Sequence, residues 1–203
     1  MKMTKTRKKI LCTTIVVLIV AFFIGFNHLF IIDMRKEIVP VNETTINSDG
    51  QVQVTLTYGG YCNRHLKFRS SFFNIVKAAE TLDGLVVAPG EAFSWFEFMG
   101  PCDGSQGYKP GIGFGAYMPT LTYGGGVCLC STLIYKAEST CGMTTIERHD
   151  HSEKVSYANP GEDAAVNFAD KDFRFVNSTE YTATFHVTCN RDDYSVTCIV
   201  VLS

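Results

Sequence analysis

Clusters of basic residues are missing from this sequence beyond its first nine positions. The 203 residues include 18 lysines and arginines against 20 aspartates and glutamates, which leaves a net charge of −2. Proteins that bind nucleic acid usually carry a basic patch that neutralises phosphates. The composition therefore argues against nucleic acid as a partner and leaves small or peptide-like substrates open.

Charged residues are also missing from the run 10–32, whose 23 residues are long enough to cross a bilayer as a helix. Five cationic side chains precede this run, and cationic flanks stay in the cytoplasm. No small-residue cleavage site follows it, which favours an uncleaved anchor over a cleaved secretory signal peptide, and either segment would export the rest of the chain. We expect a single-pass protein of the cell membrane whose domain lies outside the cytoplasm.

Hydrophobic periodicity is absent from residues 34–50, which predicts a flexible linker. This linker would join the anchor, residues 1–33, to a domain that occupies residues 51–203. The apolar content of 46% is sufficient for one core and leaves little room for a second domain.

Within the domain, helical and strand patterns occur in separate runs. Residues 68–82 place apolar side chains on one helical stripe, and residues 128–141 repeat them at fourfold spacing. Strand-like patterns occupy the segments 51–57, 85–87, 143–151, 164–168, 173–176, 181–189 and 194–202. The expected fold is therefore an α+β domain with two amphipathic helices and an antiparallel β meander at its C-terminal end.

A cysteine stands where the second helix should begin. Glycine and proline recur between Gly100 and Gly126, which excludes a long element there, and Cys128 follows two residues after this region. The N-terminus of a helix stabilises an anion, so a cysteine there is a candidate nucleophile. His149 and His151 follow in an extended segment, where they would point to the same side and offer a base.

The chain has eight cysteines, and an exported protein with this content is expected to form disulfides. Cys12 lies in the apolar run, so seven remain, and six structural thiols with one reactive thiol at Cys128 would fit that odd number. Cys189 and Cys198 flank a hairpin tip that we predict at Asp193-Tyr194, which would place them opposite each other for a bridge. Cys62 with Cys102 is a second candidate pair.

Several separated motifs occur in a fixed order between about Thr57 and Tyr181. They are Asn63-Arg64, Pro89-Gly90-Glu91 with Phe93-Ser94, Gly100, Gly107-Tyr108, Gly124-Gly125-Gly126-Val127-Cys128, Ser131, Tyr135, Glu147-Arg148-His149-Asp150-His151-Ser152, Val155, Tyr157, Gly161 and Asp163-Ala164. In this combination the chain resembles the VanW family, named after a protein encoded among vancomycin-resistance genes. The family usually has glutamine directly after the cysteine, where this chain has Leu129, and commonly has an aliphatic residue where this chain has Cys130.

The resemblance implies a role at the bacterial cell wall, with L,D-transpeptidase activity on peptidoglycan stem peptides through a cysteine acyl-enzyme. Cys128 would be the nucleophile, and His151, together with His149, would be the base. Asp163 would orient the imidazole, unless it is only a turn residue. This chemistry requires no cofactor or metal.

Five further residues are candidate substrate contacts. The amides of Gly125 and Gly126 would receive the oxyanion. Arg148 would pair with a stem-peptide carboxylate, or with a neighbouring acidic residue instead. Ser131 and Tyr157 complete the set, and packing is the alternative role for Tyr157.

Two other classes of function fit the same residues. Cys128, Cys130, His149 and His151 would supply four ligands to a zinc ion if the helix started after Cys130. Alternatively, the domain is a non-catalytic module that binds peptidoglycan, which the replacement of the family glutamine by Leu129 favours.

Overall fold

The computed structural model describes residues 42–58, 66–114 and 119–203. All of them belong to one compact unit of the chain. The predicted membrane anchor lies outside these ranges. None of the helices within them combines the length and apolar character that a bilayer span requires.

The described ranges contain three α-helices and ten strands. The helices are α1 (Leu66–Leu82), α2 (Trp95–Met99) and α3 (Cys128–Thr140), and a 3-10 helix covers Gly104–Gln106. The strands are β1 (Glu43–Ile46), β2 (Val52–Thr57), β3 (Leu85–Val87), β4 (Ala92–Ser94), β5 (Pro110–Phe114), β6 (Pro119–Tyr123), β7 (Thr144–Glu147), β8 (Arg174–Val176), β9 (Ala183–Asn190) and β10 (Ser195–Leu202).

The strands form three antiparallel sheets, and the α+β class predicted from the sequence is confirmed. The largest sheet has the order β1-β2-β10-β9-β3, a second has the order β4-β8-β7, and β5 pairs with β6. The C-terminal strands are therefore not one meander, because β8 joins a different sheet from the β9–β10 hairpin. Alternation predicts that a segment is a strand, but it does not say which distant strand it pairs with.

The apolar stripes of α1 and α3 form the core against the largest sheet. Helix α3 contacts β2 and β10, while α1 contacts β9 and α3. On α3, Leu129, Leu133 and Ala137 are fully buried, as their fourfold spacing predicts. Burial of a leucine side chain contributes about 2 kcal/mol, so this packing fixes the position of the first turn of α3.

Strand β1 occupies part of the segment predicted to be a linker. It pairs with β2 from Glu43 opposite Thr55 to Ile46 opposite Val52. The side chain of Asn47 closes the turn by accepting hydrogen bonds from the N–H groups of Asp49 and Gln51, at 3.0 and 2.9 Å. All four β1 residues are exposed, so the strand has no hydrophobic alternation and sequence patterns miss it. The linker prediction does not hold for residues 43–50.

The β9–β10 hairpin has a different register from the predicted one. Cys189 lies opposite Val196 rather than Cys198, because the turn is centred between Asp192 and Asp193. Diagonal neighbours in a sheet lie about 7 Å apart or more, which is longer than the Cα separation of an ordinary disulfide. The structure thus contradicts the predicted bridge, and both cysteines are free thiols.

The second candidate pair includes Cys62, which lies outside the described residues. Its proposed partner Cys102 is a buried free thiol, as are Cys130 and Cys198. Burial raises the pKa of Cys102 to about 11.

Candidate functional site

A tight glycine turn leads into α3. Gly124 and Gly126 have φ angles of 70° and 107°, which favour glycine. A Cβ on Gly126 would lie 2.9 Å from the carbonyl oxygen of Ser71, and a Cβ on Gly125 would lie 2.4 Å from the carbonyl carbon of Gly111. The turn therefore packs directly on α1 and β5, and only glycine fits there. This packing places Cys128 at the first residue of α3.

A thiol, an imidazole and a carboxylate come together at this point. The Nδ1 of His151 lies 2.5 Å from Oδ2 of Asp163, and the same oxygen accepts the His151 backbone N–H at 2.8 Å. The thiol of Cys128 is also close enough to the His151 side chain to help raise its pKa. The side chains of His151 and Asp163 are only 7% and 4% exposed. In this order the carboxylate orients an imidazole that lies near a thiol.

The surroundings of His151 favour its protonated form. Burial disfavours a charge, but the hydrogen bonds and charges of Cys128 and Asp163 outweigh burial and raise the pKa of His151. Tyr157 is buried and stands edge-on to the imidazole, with ring centroids 6.3 Å apart. An imidazolium is thus stabilised next to the thiol.

Cys128 and His151 both line a cleft of about 490 Å³, a size that suits a small ligand or a short peptide. Its aromatic lining consists of Tyr58, Trp95, Phe96, Tyr123, Tyr157 and Phe168. Asp103 and Lys171 add one acidic and one basic side chain, and Gly125 and Gly126 also contribute to the surface. Aromatic rings, glycines and a few polar side chains thus share the wall around Cys128 and His151.

Two backbone N–H groups beside the thiol are available to a ligand. The N–H of Gly125 is already used, because it donates to the carbonyl of Thr122 at 3.1 Å. The N–H groups of Gly126 and Cys128 have no acceptor among the described residues. The first residues of a helix lack acceptors within the helix, which explains why the N–H of Cys128 is left over.

Ser131 is not part of the cleft lining and lies in the protein interior next to the site. It is fully buried, and its hydroxyl donates to the carbonyl of Ala164 at 2.5 Å and to that of Cys128 at 3.1 Å. The hydroxyl of Thr132 accepts the N–H of Ala164 at 3.0 Å. These bonds attach the segment that carries Asp163 to α3, so the predicted substrate contact at Ser131 is a structural one.

Arg148 also contacts the Asp163 segment and is not part of the cleft lining. Its guanidinium donates to the Asp163 carbonyl at 2.5 Å and pairs with Asp150. It lies over the ring of Tyr135, with 5.1 Å between the guanidinium carbon and the ring centroid. Arg148 thus pairs with a neighbouring acidic residue of the protein, which was the alternative to a stem-peptide carboxylate.

His149 does not join His151. Its Nε2 lies 2.9 Å from Oε1 of Glu147, and its carbonyl accepts the N–H of Ala165 at 2.7 Å. Strand β7 ends at Glu147, so the alternation that would place both histidines on one side does not continue to residue 151. The second predicted base therefore faces away from the cleft.

The four-ligand zinc site is not formed either. Helix α3 begins at Cys128, so Cys130 points to another side of the helix, where its thiol is fully buried and donates to the carbonyl of Ile75 at 3.5 Å. Within the described ranges, no group of three or more histidine, cysteine, aspartate or glutamate side chains is arranged so that it could hold a metal ion.

The departure at Leu129 lies in the core. The side chain is fully buried and is not part of the cleft lining. The side chain at this position does not reach the cleft. Leucine in place of the usual glutamine therefore removes no group from the cleft wall.

Sequence reasoning missed most of the cleft wall. The residues concerned come from distant segments and include Tyr58, Trp95, Phe96, Asp103, Tyr123, Phe168 and Lys171. No local pattern marks them, because only the folding of these segments around α3 brings them together.

The chain matches a family model described as VanW like protein over residues 70–199. It is 32% identical to the uncharacterized protein YoaR of Bacillus subtilis (strain 168) over 159 residues, which cover 77% of this chain and 51% of that protein. It is also 32% identical over 122 residues to the vancomycin B-type resistance protein VanW of Enterococcus faecalis (strain ATCC 700802 / V583), covering 57% of this chain and 44% of that protein. The chain thus spans about half the length of these curated relatives. No solved structure matches it. The family match and the similarity to these two proteins agree with the resemblance read from the motifs, and the chain belongs to the VanW-like family.

Proposed function

We propose that this chain is a cysteine-dependent acyltransferase of the L,D-transpeptidase type that acts on peptidoglycan stem peptides. The observation that carries the proposal is the grouping of Cys128, His151 and Asp163 beside a cleft that Cys128 and His151 line. The name of the enterococcal relative refers to vancomycin resistance. We extend a role at the cell wall to this chain as part of the proposal.

The reaction follows from the order of these groups. Because Nδ1 of His151 is engaged by Asp163, Nε2 is the ring nitrogen that takes the proton of Cys128. The sulfur then attacks the carbonyl carbon of the third residue of a donor stem, and a C–S bond forms. The C–N bond to the terminal D-alanine breaks as the imidazolium returns its proton to the leaving amine. An amine of a neighbouring stem attacks the thioester and releases the thiol.

The oxyanion of each tetrahedral intermediate needs donors beside the sulfur. The N–H of Cys128 is suitable because it belongs to the nucleophile itself and has no acceptor within the described part of the chain. The N–H of Gly126 is the second donor in this proposal. Loss of one such donor typically lowers the rate by about a hundredfold or more.

The proposed reaction takes place on the outer side of the cell membrane. The basic N-terminus and the apolar run 10–32 hold the chain in the cell membrane, with the cleft on the outer side where peptidoglycan lies. This placement is consistent with stem peptides as the substrates.

Incubation of the purified full chain with tetrapeptide-bearing muropeptides tests the function. We expect release of D-alanine and a mass adduct on the peptide that contains Cys128. Cys128→Ala should abolish both, while the matched variant Cys141→Ala, at another partly exposed thiol, should retain them. His151→Ala should slow acylation by about a hundredfold or more.

Full turnover by Cys128→Ala would end the enzymatic proposal. Tight binding of muropeptides without any product from the unaltered chain would favour the non-catalytic wall-binding module instead.

A further inference from the structure

A short loop beside the thiol brings a lysine into the cleft. The carbonyl of Val166 lies 3.5 Å from the Cys128 sulfur. Directly after it, Asn167 and Lys171 pair in antiparallel fashion through two backbone hydrogen bonds of 2.9 and 3.0 Å. Residues that exchange both bonds have Cα atoms about 5.5 Å apart and side chains on the same face. The backbone of Lys171 therefore lies next to the segment that contacts the Cys128 sulfur.

The loop is held in place by its own contacts. The side chain of Asn167 accepts the N–H of Ala169 at 2.9 Å and donates to Asp170 at 2.8 Å. Phe168 packs on Phe96, with ring centroids 5.1 Å apart. These contacts hold the backbone of the loop, including that of Lys171, in place.

The charge of Lys171 is not neutralised within the described part of the protein, where no carboxylate lies within ion-pair distance of it. The adjacent carboxylates have other partners. Asp170 binds Asn167, and Asp172 accepts hydrogen bonds from Ser94 at 2.6 Å and from the Phe96 N–H at 3.0 Å.

The acidic side chain of the lining is also engaged. Asp103 accepts the N–H and the hydroxyl of Ser105, at 2.8 and 2.6 Å. Among the described lining residues, Lys171 is the only lysine or arginine, and it is partly buried. An ammonium in such a place attracts an anionic group of the ligand.

Lys171 and Cys128 line the same cleft, and this points to a particular substrate group. A scissile carbonyl must lie at the Cys128 sulfur, and the next residue of a peptide lies about 3.8 Å further along its chain. The flexible four-carbon stem of lysine spans a distance of this order from the paired segment. We infer that Lys171 forms a subsite for the free carboxylate of a substrate that ends one residue beyond the attacked bond. This inference rests on the proposed function and makes the enzyme specific for peptide termini.

Two matched peptides test the subsite on the full chain. One is a stem tetrapeptide with a free terminal carboxylate, and the other is the same peptide with a terminal amide. We expect Lys171→Gln to lower kcat/KM for the acid about tenfold or more, mainly through KM, and to leave the amide unchanged. Lys171→Arg should keep most of the activity on the acid. Lys154→Gln, at an exposed lysine outside the cleft, is the control for loss of one positive charge.

A binding measurement separates the subsite from the chemistry. In the Cys128→Ala background, calorimetry should show tighter binding of the acid than of the amide, and Lys171→Gln should remove that difference. If this result is obtained without turnover by the unaltered chain, the subsite stands and the proposed reaction fails. If turnover occurs with equal preference for acid and amide, the reaction stands and the subsite fails.

Three other outcomes would overturn the inference. They are an equal effect of Lys171→Gln on both peptides, absence of binding by either peptide, and competition by inorganic pyrophosphate without discrimination between acid and amide. The last result would assign the lysine to a phosphate group.

Discussion

At the scale of single residues, the ionisation of His151 depends on its two partners. Burial disfavours the imidazolium, while hydrogen bonds and charges from Cys128 and Asp163 favour it and raise the pKa of His151. The Asp163 carboxylate also fixes the ring through Nδ1. The Asp163 carboxylate thus fixes the orientation of the His151 ring and also helps to raise the pKa of His151.

Asp163→Asn should change both the rate and its pH dependence. Loss of the carboxylate lowers the pKa of His151, so the imidazolium that serves as general acid disappears at a lower pH. The alkaline limb of the kcat/KM profile should shift toward lower pH. In addition, kcat should fall by about a hundredfold or more, because the carboxylate no longer holds the imidazole in the required tautomer. Glu162→Gln, which changes an exposed acid paired with Lys136, should leave the profile unchanged. An unshifted alkaline limb in Asp163→Asn would refute this role.

Cys128 should be the first of the described thiols to react with iodoacetamide near neutral pH. Cys141 and Cys189 are also partly exposed, but burial raises the pKa of each to about 11 and leaves little thiolate. The thiols of Cys102, Cys130 and Cys198 are buried. Mass mapping after short exposure should find the label on Cys128, and His151→Ala should slow the labelling. Equal labelling of Cys141 would contradict the expectation.

At the scale of elements, α3 carries the Cys128 thiol at one end and a buried acid near the other. Glu138 is fully buried, and its Oε1 accepts hydrogen bonds from Thr145 at 2.5 Å and Ser139 at 3.2 Å. Its Oε2 has no hydrogen-bond partner among the residues that the structure describes. Burial raises the pKa of Glu138 to about 7. The helix therefore contains a group whose charged form is unfavourable in the folded protein.

Glu138→Gln should flatten the pH dependence of stability. The folded chain holds the Glu138 proton up to about pH 7, whereas an unfolded glutamate releases it near 4.5. Stability is therefore lost as the pH rises through this window, by about 3 kcal/mol at most. The fluorescence of Trp95, the single tryptophan and a buried one, can follow urea unfolding at pH 5 and pH 8. Glu153→Gln, at an exposed acid, should behave like the original chain, and an unchanged difference in Glu138→Gln would contradict the prediction.

At the scale of the whole molecule, the main expectation concerns the side of the membrane on which the cleft lies. The apolar run 10–32 and the cationic residues before it lie outside the described ranges, so this expectation rests on the sequence.

Protease added to intact cells without their wall should digest the chain beyond residue 33. The physical reason is the charge asymmetry across the apolar run, which retains the basic end in the cytoplasm. Immunoblotting with an antibody to the C-terminal end measures the loss. A cytoplasmic enzyme serves as the control for lysis, and full protection of the domain in intact cells would show the opposite orientation.

The sequence by itself determined the features that depend on neighbouring residues. The repeats at Leu129, Leu133 and Ala137 predicted α3, and a similar stripe predicted α1, because helical periodicity is local. The motifs around Cys128 and His151 also predicted the family. The glycines before Cys128 placed it at the start of a helix, which the structure confirms.

Only the tertiary structure decided which distant groups meet. It placed His151 rather than His149 in the cleft, brought Asp163 to the His151 imidazole and gave Arg148 and Ser131 internal partners. It also set the hairpin register that separates Cys189 from Cys198, and it placed Lys171 in the cleft. These outcomes depend on long-range pairing and packing, in which a shift of one residue changes every partner, and periodicity along the chain carries no information about that choice.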